Sequence, residues 1–328
     1  MKSRTKSVQF SWTIADHDVK VVQRLLEAQG DTEFVRKRRT RNVAMPPPDF
    51  SRSEFWLVLM GCLLTTQQRS TKGSPVNLFV ESEIFPLSLE VCEKQVSVKK
   101  FVLTTITDFK GIHRQITIAN QAADNWRQLN RVQWGAVQEW FERLRGQRAR
   151  EPRKSDQSLE REAARWADST FAGLGPKQSR NLWQWLGLTR YEIPLDSRVT
   201  AWINRALSVK VNPKRLGQLV YYESVLDYVE AICDKANVLP CQLDAAAFDY
   251  EDLGGILGPI KVSTQSGFVN PLGQITVRNT TAPGTDHLQY VYQLACSQCG
   301  HTYGANGSDI HDRKCPKCQA GSPGFSIG

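Results

Sequence analysis

Residues 171–199 constrain this chain more than any other stretch. They read FAGLGPKQSRNLWQWLGLTRYEIPLDSRV. Gly173-Leu174-Gly175-Pro176 predicts a tight turn between two helices, because two glycines remove side-chain bulk where the backbone must bend and approach a ligand. Pro176 suits the first position of the second helix, where no amide hydrogen is needed. The free amides of that helix start suit a phosphate. Lys177 opens the helix, and Asp196 follows nineteen residues later, just beyond its end.

Charge points the same way. The 328 residues hold 42 Lys and Arg against 33 Asp and Glu, a net charge of +9. Such an excess favours a polyanion, DNA or RNA before a membrane surface, although a basic surface also occurs without one. The hydrophobic share of 41% and the nine Trp support a substantial core. No apolar run reaches the roughly 18–20 residues of a spanning helix. The basic N-terminus lacks the apolar core of a signal peptide. A cytoplasmic protein without membrane contact is expected. Cys62, Cys92, Cys233 and Cys241 sit in apolar or helical surroundings and read as free core thiols, which fits a reducing compartment.

Residues 1–50 form a basic segment. Within it, residues 15–30 predict an amphipathic helix with Val19, Val22, Leu25 and Leu26 on one face. Arg36, Lys37, Arg38, Arg39 and Arg41 form a run that either is solvated or meets phosphates. Pro46-Pro47-Pro48 reads as a stiff linker. Ser51 or Ser53 caps a buried helix over 54–66, apolar on nearly every side. It ends in Thr65-Thr66-Gln67-Gln68-Arg69-Ser70, either an ordinary helix end or a carrier of amide side chains into a cleft. Further helices are expected up to residue 170, with Trp126, Trp134 and Trp140 as core, and again over 197–207, from 215, over 222–237 and over 242–250. Beyond Leu253, Gly254, Gly255, Gly258, Gly267 and Gly273 punctuate short β pieces at 274–278 and 288–294, which places a boundary near 255.

The last part carries Cys296-Ser297-Gln298-Cys299 and Cys315-Pro316-Lys317-Cys318. Two close pairs separated by a loop set four thiolates on a tetrahedron around zinc. Four thiolates close the coordination sphere, so the metal is expected to be structural and to hold a small β zinc ribbon over 256–328. An iron–sulfur cluster calls for other spacings. His301 and His311 are spare ligand candidates or surface residues. Such a ribbon touches DNA, touches a partner, or stabilises the chain end.

The stretch 171–199 resembles the helix-hairpin-helix DNA glycosylase superfamily, which includes the 8-oxoguanine glycosylases and the endonuclease III group. Gly173-Leu174-Gly175 matches that family's hairpin, and Leu195-Asp196-Ser197-Arg198-Val199 matches the segment around its essential Asp. Lys177 falls where the lyase members carry their catalytic Lys. Leu63-Leu64-Thr65-Thr66-Gln67-Gln68 resembles the helix end that fills the space left by an extruded base, with Gln67 the best match. The resemblance covers residues 50–250. It departs at Ala172, where Pro is common, at Ser197-Arg198 after the Asp, and in lacking the iron–sulfur cysteines of endonuclease III. It implies a mainly α-helical, two-lobed glycosylase domain over 51–255, acting as a monomer on double-stranded DNA. Asp196 and Lys177 would be catalytic. Gln67, Gln68, Gly173, Gly175, Gln178, Ser179 and Arg198 would bind DNA. The base removed would be an oxidised purine, serving repair, or a hypermodified phage base such as glucosylated hydroxymethylcytosine, serving antiviral defence. The alternatives are a non-catalytic DNA-binding module and an RNA-processing or scaffold protein. Asp196 is also placed as a helix cap, and Lys177 as a phosphate-facing or solvent-facing residue.

Overall fold

The computed structural model describes residues 12–68, 70, 73–252, 263–270, 272–285 and 290–327. Arg69, the glycines at 254, 255 and 258, and the start of the expected strand at Leu288 lie outside them. The chain divides into two units, Met1–Gly254 and Gly255–Gly328.

The first unit is helical. Its elements in chain order are α1 (Asp16–Gln29), α2 (Glu33–Arg39), α3 (Arg52–Leu64), α4 (Pro75–Val80), α5 (Leu89–Glu93), α6 (Val98–Phe109) and α7 (Gln115–Gln128). There follow α8 (Trp134–Arg148), α9 (Asp156–Thr170), α10 (Pro176–Trp185), α11 (Ser197–Ala206), α12 (Leu219–Ala236) and α13 (Pro240–Asp252). The organising element is α3. Ser51 is its cap, accepting from the Glu54 amide at 3.2 Å. Phe55, Trp56, Leu59, Met60, Leu63 and Leu64 are all fully buried. Each such side chain contributes about 1.5–3 kcal/mol on leaving water. The helix packs on α5, α7 and α10. Gly61 lets the Trp185 ring lie against the backbone, where a Cβ would stand 2.7 Å from it. One hydrophobic cluster runs from Phe55 to Leu188, with Trp126, Trp134 and Trp140 packed against it as partly buried members.

A second group of helices joins both ends of this unit. α1 packs on α12 and α13, and α2 and α11 pack on α13. Val21, Val22 and Leu25 of α1 are buried. The basic segment therefore does not stand apart: its amphipathic face is used, and residues 16–39 are built into the helical unit. A π-helical turn, Thr40–Ala44, follows α2. The helix expected to start at 215 is a short 3-10 turn, Pro213–Arg215, and α12 begins later, at Leu219.

The second unit is a three-stranded antiparallel sheet, β1 (Gln274–Pro283), β2 (Tyr290–Cys296) and β3 (Thr302–Asn306), in the order β1-β2-β3. Ile275 faces Ala295, and Leu294 faces Tyr303. Phe268, Leu294, Tyr303, Ala305 and Ile310 form its core among the described residues. Five residues bury too little apolar area to hold a segment of this length by themselves.

Candidate functional site

The loop between α10 and α11, residues 186–196, is held from three sides. Glu160 of α9 accepts the consecutive amides of Arg190, Tyr191 and Glu192 at 2.9, 2.7 and 2.9 Å. Burial pushes its carboxyl up to about 8, and the three amides oppose that. The Arg190 guanidinium donates to the carbonyls of Asn42, Arg148 and Arg150. The Tyr222 hydroxyl accepts the Leu195 amide at 2.6 Å and donates to Ile193 O at 3.2 Å. Behind the loop, Glu192 meets Arg180 at 2.7 Å and Arg161 at 2.9 Å, all three largely or wholly buried. A buried pair of this kind fixes geometry more than it adds stability, but losing one partner costs about 3–5 kcal/mol. The frame delivers Asp196 at a defined place.

Asp196 is the N-cap of α11. Its Oδ1 accepts the amides of Arg198 and Val199, each at 2.9 Å. Its Oδ2 stands 3.9 Å from Arg198 Nη1. One carboxylate oxygen thus caps the helix, and the other stands opposite the Arg198 guanidinium. Arg198 stacks on Phe248, with Cζ 4.0 Å from the ring centroid. Phe34 stacks on Phe248 at 5.1 Å. Arg38 of α2 donates to Gln184 Oε1 at 2.9 Å and to Asp244 Oδ2 at 3.5 Å.

Asp244 is the group that sequence reasoning missed. Burial pushes its carboxyl up to about 6; Arg38 pulls it down, Asp196 pushes it up, and Gln184 and Lys177 pull it down. Asp196 and Lys177 thus both act on one buried carboxyl. A pH effect follows. The folded-state value lies above the ordinary 3.8, so the folded protein binds the extra proton between these values. The contribution of Asp244 to stability is greatest below pH ~4 and declines as pH rises through ~6. Urea denaturation across that range should show a steeper decline in the wild type than in Asp244→Asn, the remainder coming from Glu160, whose carboxyl is also raised.

Gly175 and Gly173 differ in what they do. Gly173 has φ +86°, and a Cβ there would collide with the Gln121 side chain. Gly175 has φ −111°, and nothing lies within 4 Å of where its Cβ would stand. It caps α10 without a side-chain hydrogen bond, and Pro176 follows at the first position. Gly173→Ala should therefore lower stability by about 1–2 kcal/mol through left-handed strain. Gly175→Ala should leave the melting temperature unchanged or slightly raised. If DNA backbone approaches this turn, Gly175→Ala still weakens DNA binding; equal affinity in a titration at fixed salt would remove the turn from the interface.

The other expected DNA-facing residues divide. Gln67 is exposed, with φ +56°, just past the end of α3. Gln68 instead ties this end to the start of α7: its Oε1 accepts the His113 amide at 2.8 Å. Gln178 is buried, and its amide bridges to Thr66 Oγ1 at 2.8 Å and Thr65 Oγ1 at 3.4 Å. Ser179 is fully buried and donates to Pro176 O at 3.1 Å. Gln68 thus ties the end of α3 to the approach to α7, Gln178 ties α10 to the end of α3, and Ser179 bonds back within the first turn of α10, as short polar side chains at helix starts often do. Lys177 and Asp196 are partly exposed.

In the sheet unit, the sulfurs of Cys296, Cys299, Cys315 and Cys318 all lie within 4.8 Å of one another. Cys296 to Cys318 and Cys299 to Cys315 are each 3.6 Å apart. A tetrahedron with metal–sulfur bonds of about 2.3 Å has edges of about 3.8 Å. The first pair turns through Gly300, at φ +69°, whose amide bonds Cys296 O. In the second, the Lys317 amide donates to Cys315 Sγ at 3.4 Å. His301 stacks on Tyr303 and His311 packs edge-on against Phe268, so the four cysteines form the ligand set among the described residues. This cluster can hold a structural metal ion.

No protein-family model and no curated protein matches the sequence. Among solved structures, the 8-oxoguanine glycosylase/lyase of Methanocaldococcus jannaschii, in complex with a 15mer DNA containing 8-oxoguanine, is similar. The two chains share 13% identity with a TM-score of 0.48, over 72% of this chain and 97% of that one. This chain carries a three-stranded sheet with four clustered cysteines. No helix among the described residues is long and apolar enough to cross a membrane.

Proposed function

We propose that this protein is a DNA glycosylase: a monomer that binds double-stranded DNA, draws one modified nucleotide out of the stack, and cuts its N-glycosidic bond. The carrying observation is Asp196, held by a buried loop with one oxygen on helix amides and acting, with Lys177 of the α10 start, on the same buried Asp244 carboxyl.

When the bond breaks, the base leaves with the bonding electrons and the sugar becomes cationic. The Asp196 carboxylate stabilises that charge and takes a proton from the incoming water. If the Lys177 amine adds to C1′ instead, a covalent intermediate forms and strand cleavage becomes possible. The amides of Gly175, Lys177 and Gln178 grip the DNA backbone beside the target, and Gln67 enters the space left by the base. Arg198 contacts the strand from the rim. The excess positive charge supplies salt-sensitive affinity. In the sheet unit, zinc on the four cysteines would fix the fold of the ribbon. By the sequence resemblance the target is an oxidised purine in repair; the appended ribbon and the Ser197-Arg198 flank of the Asp favour a second candidate, a hypermodified phage base in defence.

The test is a count of abasic sites on a panel of DNAs: unmodified, oxidised, deaminated, alkylated, and phage DNA with glucosylated cytosines. Sites on one substrate name the base and the role. Borohydride trapping of a Lys177–DNA adduct then separates a lyase from a hydrolase. Tight DNA binding with no sites on any substrate would support the binding-module reading instead.

A further inference from the structure

A cavity of about 500 Å³ opens at the far end of α10. Lys177 and Trp185 are eight residues apart on this helix, a rise of about 12 Å. The cavity is therefore separate from the Asp196 site. Trp185, Pro46 and Pro48 supply apolar lining, and Arg36 and Arg41 supply positive charge. Glu33 and Lys37 also line the cavity, but they pair with each other at 2.8 Å and offset one another.

Arg41 is the distinctive group. Among the described residues its side chain makes one hydrogen bond, Nε to Asn42 Oδ1 at 3.2 Å, and no carboxylate lies within ion-pairing distance. Burial, with Arg38 nearby, pushes its guanidinium down to about 9. A cation drawn out of water without a paired anion is a costly arrangement unless a ligand completes it. The segment that bears it is also held in place. Arg148 donates to Arg41 O at 3.3 Å and to Met45 O at 2.9 Å. Asn42 Nδ2 donates to Gln184 O at 2.8 Å and Thr189 O at 3.1 Å. The protein keeps this segment fixed, and Arg41 has no ion pair there; Asp244 and Glu54 offset its charge only from beyond ion-pairing distance.

A ligand that fits has an anion at one end and a flat ring at the other. We infer that this cavity binds a single nucleotide, its phosphate on Arg41 and Arg36 and its base on the Trp185–proline lining. Aromatic stacking and a charge-assisted phosphate contact are the two terms that nucleotide sites combine. The volume lies within the usual range for small-ligand pockets. Glu54, an exposed member of the lining, accepts hydrogen bonds only, so it favours a base edge that carries N–H donors. Guanine, with adjacent N1–H and N2–H, presents such an edge. The nucleotide is either free in solution or one unit of a single strand.

Calorimetry on the full-length protein distinguishes these. The probes are dGMP, deoxyguanosine, inorganic phosphate and a single-stranded pentanucleotide containing one guanine. The expected result is saturable dGMP binding, with deoxyguanosine and phosphate each about tenfold weaker or worse. Arg36→Glu, at an exposed position, and Arg41→Gln should each weaken dGMP about tenfold, and Asp196→Asn should not change it. A free nucleotide is the ligand if dGMP binds at least as tightly as the pentanucleotide. The strand is the ligand if the pentanucleotide binds about tenfold tighter and is weakened by the same two substitutions. No saturable binding of either probe, or binding that survives both arginine substitutions, overturns the inference. Because Asp196→Asn serves only as a control, this result is independent of whether the protein excises bases.

Discussion

Removing the metal should unfold the sheet unit and leave the helical unit folded. The apolar core of the sheet among the described residues is small, and the sulfurs of its two cysteine turns converge on one point. Metal binding to such a site supplies about 10–16 kcal/mol at neutral pH, more than a core of this size provides. All nine Trp lie between residues 12 and 202. Their fluorescence therefore follows the helical unit, while amide signals of residues 274–306 follow the sheet. A chelator, or Cys315→Ser, should collapse the dispersed amide signals and leave the Trp melting curve in place. Acid should act in the same direction, because thiols must lose their protons to bind metal. Zinc released on denaturation should amount to one ion per chain. A sheet that stays folded after complete metal removal would refute the zinc assignment.

The second large effect is on catalysis. Under the proposed function Asp196 has two roles that a choice of substitution can separate. As an N-cap it holds the amides of Arg198 and Val199. Asn caps as well as Asp, so Asp196→Asn should melt within a few degrees of the wild type, whereas Asp196→Ala should lose about 1 kcal/mol of stability. As the charge facing the sugar it has no substitute in Asn. Loss of a preorganised electrostatic contact to a transition state lowers rates by about 100–1,000-fold, and loss of a proton acceptor adds to this. Asp196→Asn should therefore excise at least ~1,000-fold more slowly while binding DNA as before. Lys177→Ala should abolish borohydride trapping.

The sequence shows the skeleton of this arrangement well. The Gly-Leu-Gly-Pro turn, the apolar α3 and the paired cysteines are local signals, and each is carried by residues adjacent in the chain. What it hides is set by tertiary contact. Gln178, Ser179 and Arg180 are polar and sit at the start of a helix, which reads as a surface; all three are buried because α3, α9 and α12 cover that face. Asp244 lies in the run Cys-Gln-Leu-Asp-Ala-Ala-Ala-Phe, where a lone acid among small apolar residues was the available signal. Phe248 stands four residues on, the spacing that puts both on one helix face. Nothing in the run Arg36–Arg41 distinguishes Arg38, which turns inward to Gln184, from its exposed neighbours. Glu160 reaches three amides thirty and more residues away, a contact no local pattern records.

The measurement that bears most directly on the proposed function is release of free base under single-turnover conditions, with protein in excess over each DNA of the panel. The released base is identified by mass, and Asp196→Asn is run beside the wild type. The expected result is one modified base freed by the wild type and at least a ~1,000-fold slower release by Asp196→Asn, with DNA affinity unchanged. Release at equal rates by both proteins would remove Asp196 from the chemistry. No release from any DNA that the wild type binds would contradict the glycosylase reading itself.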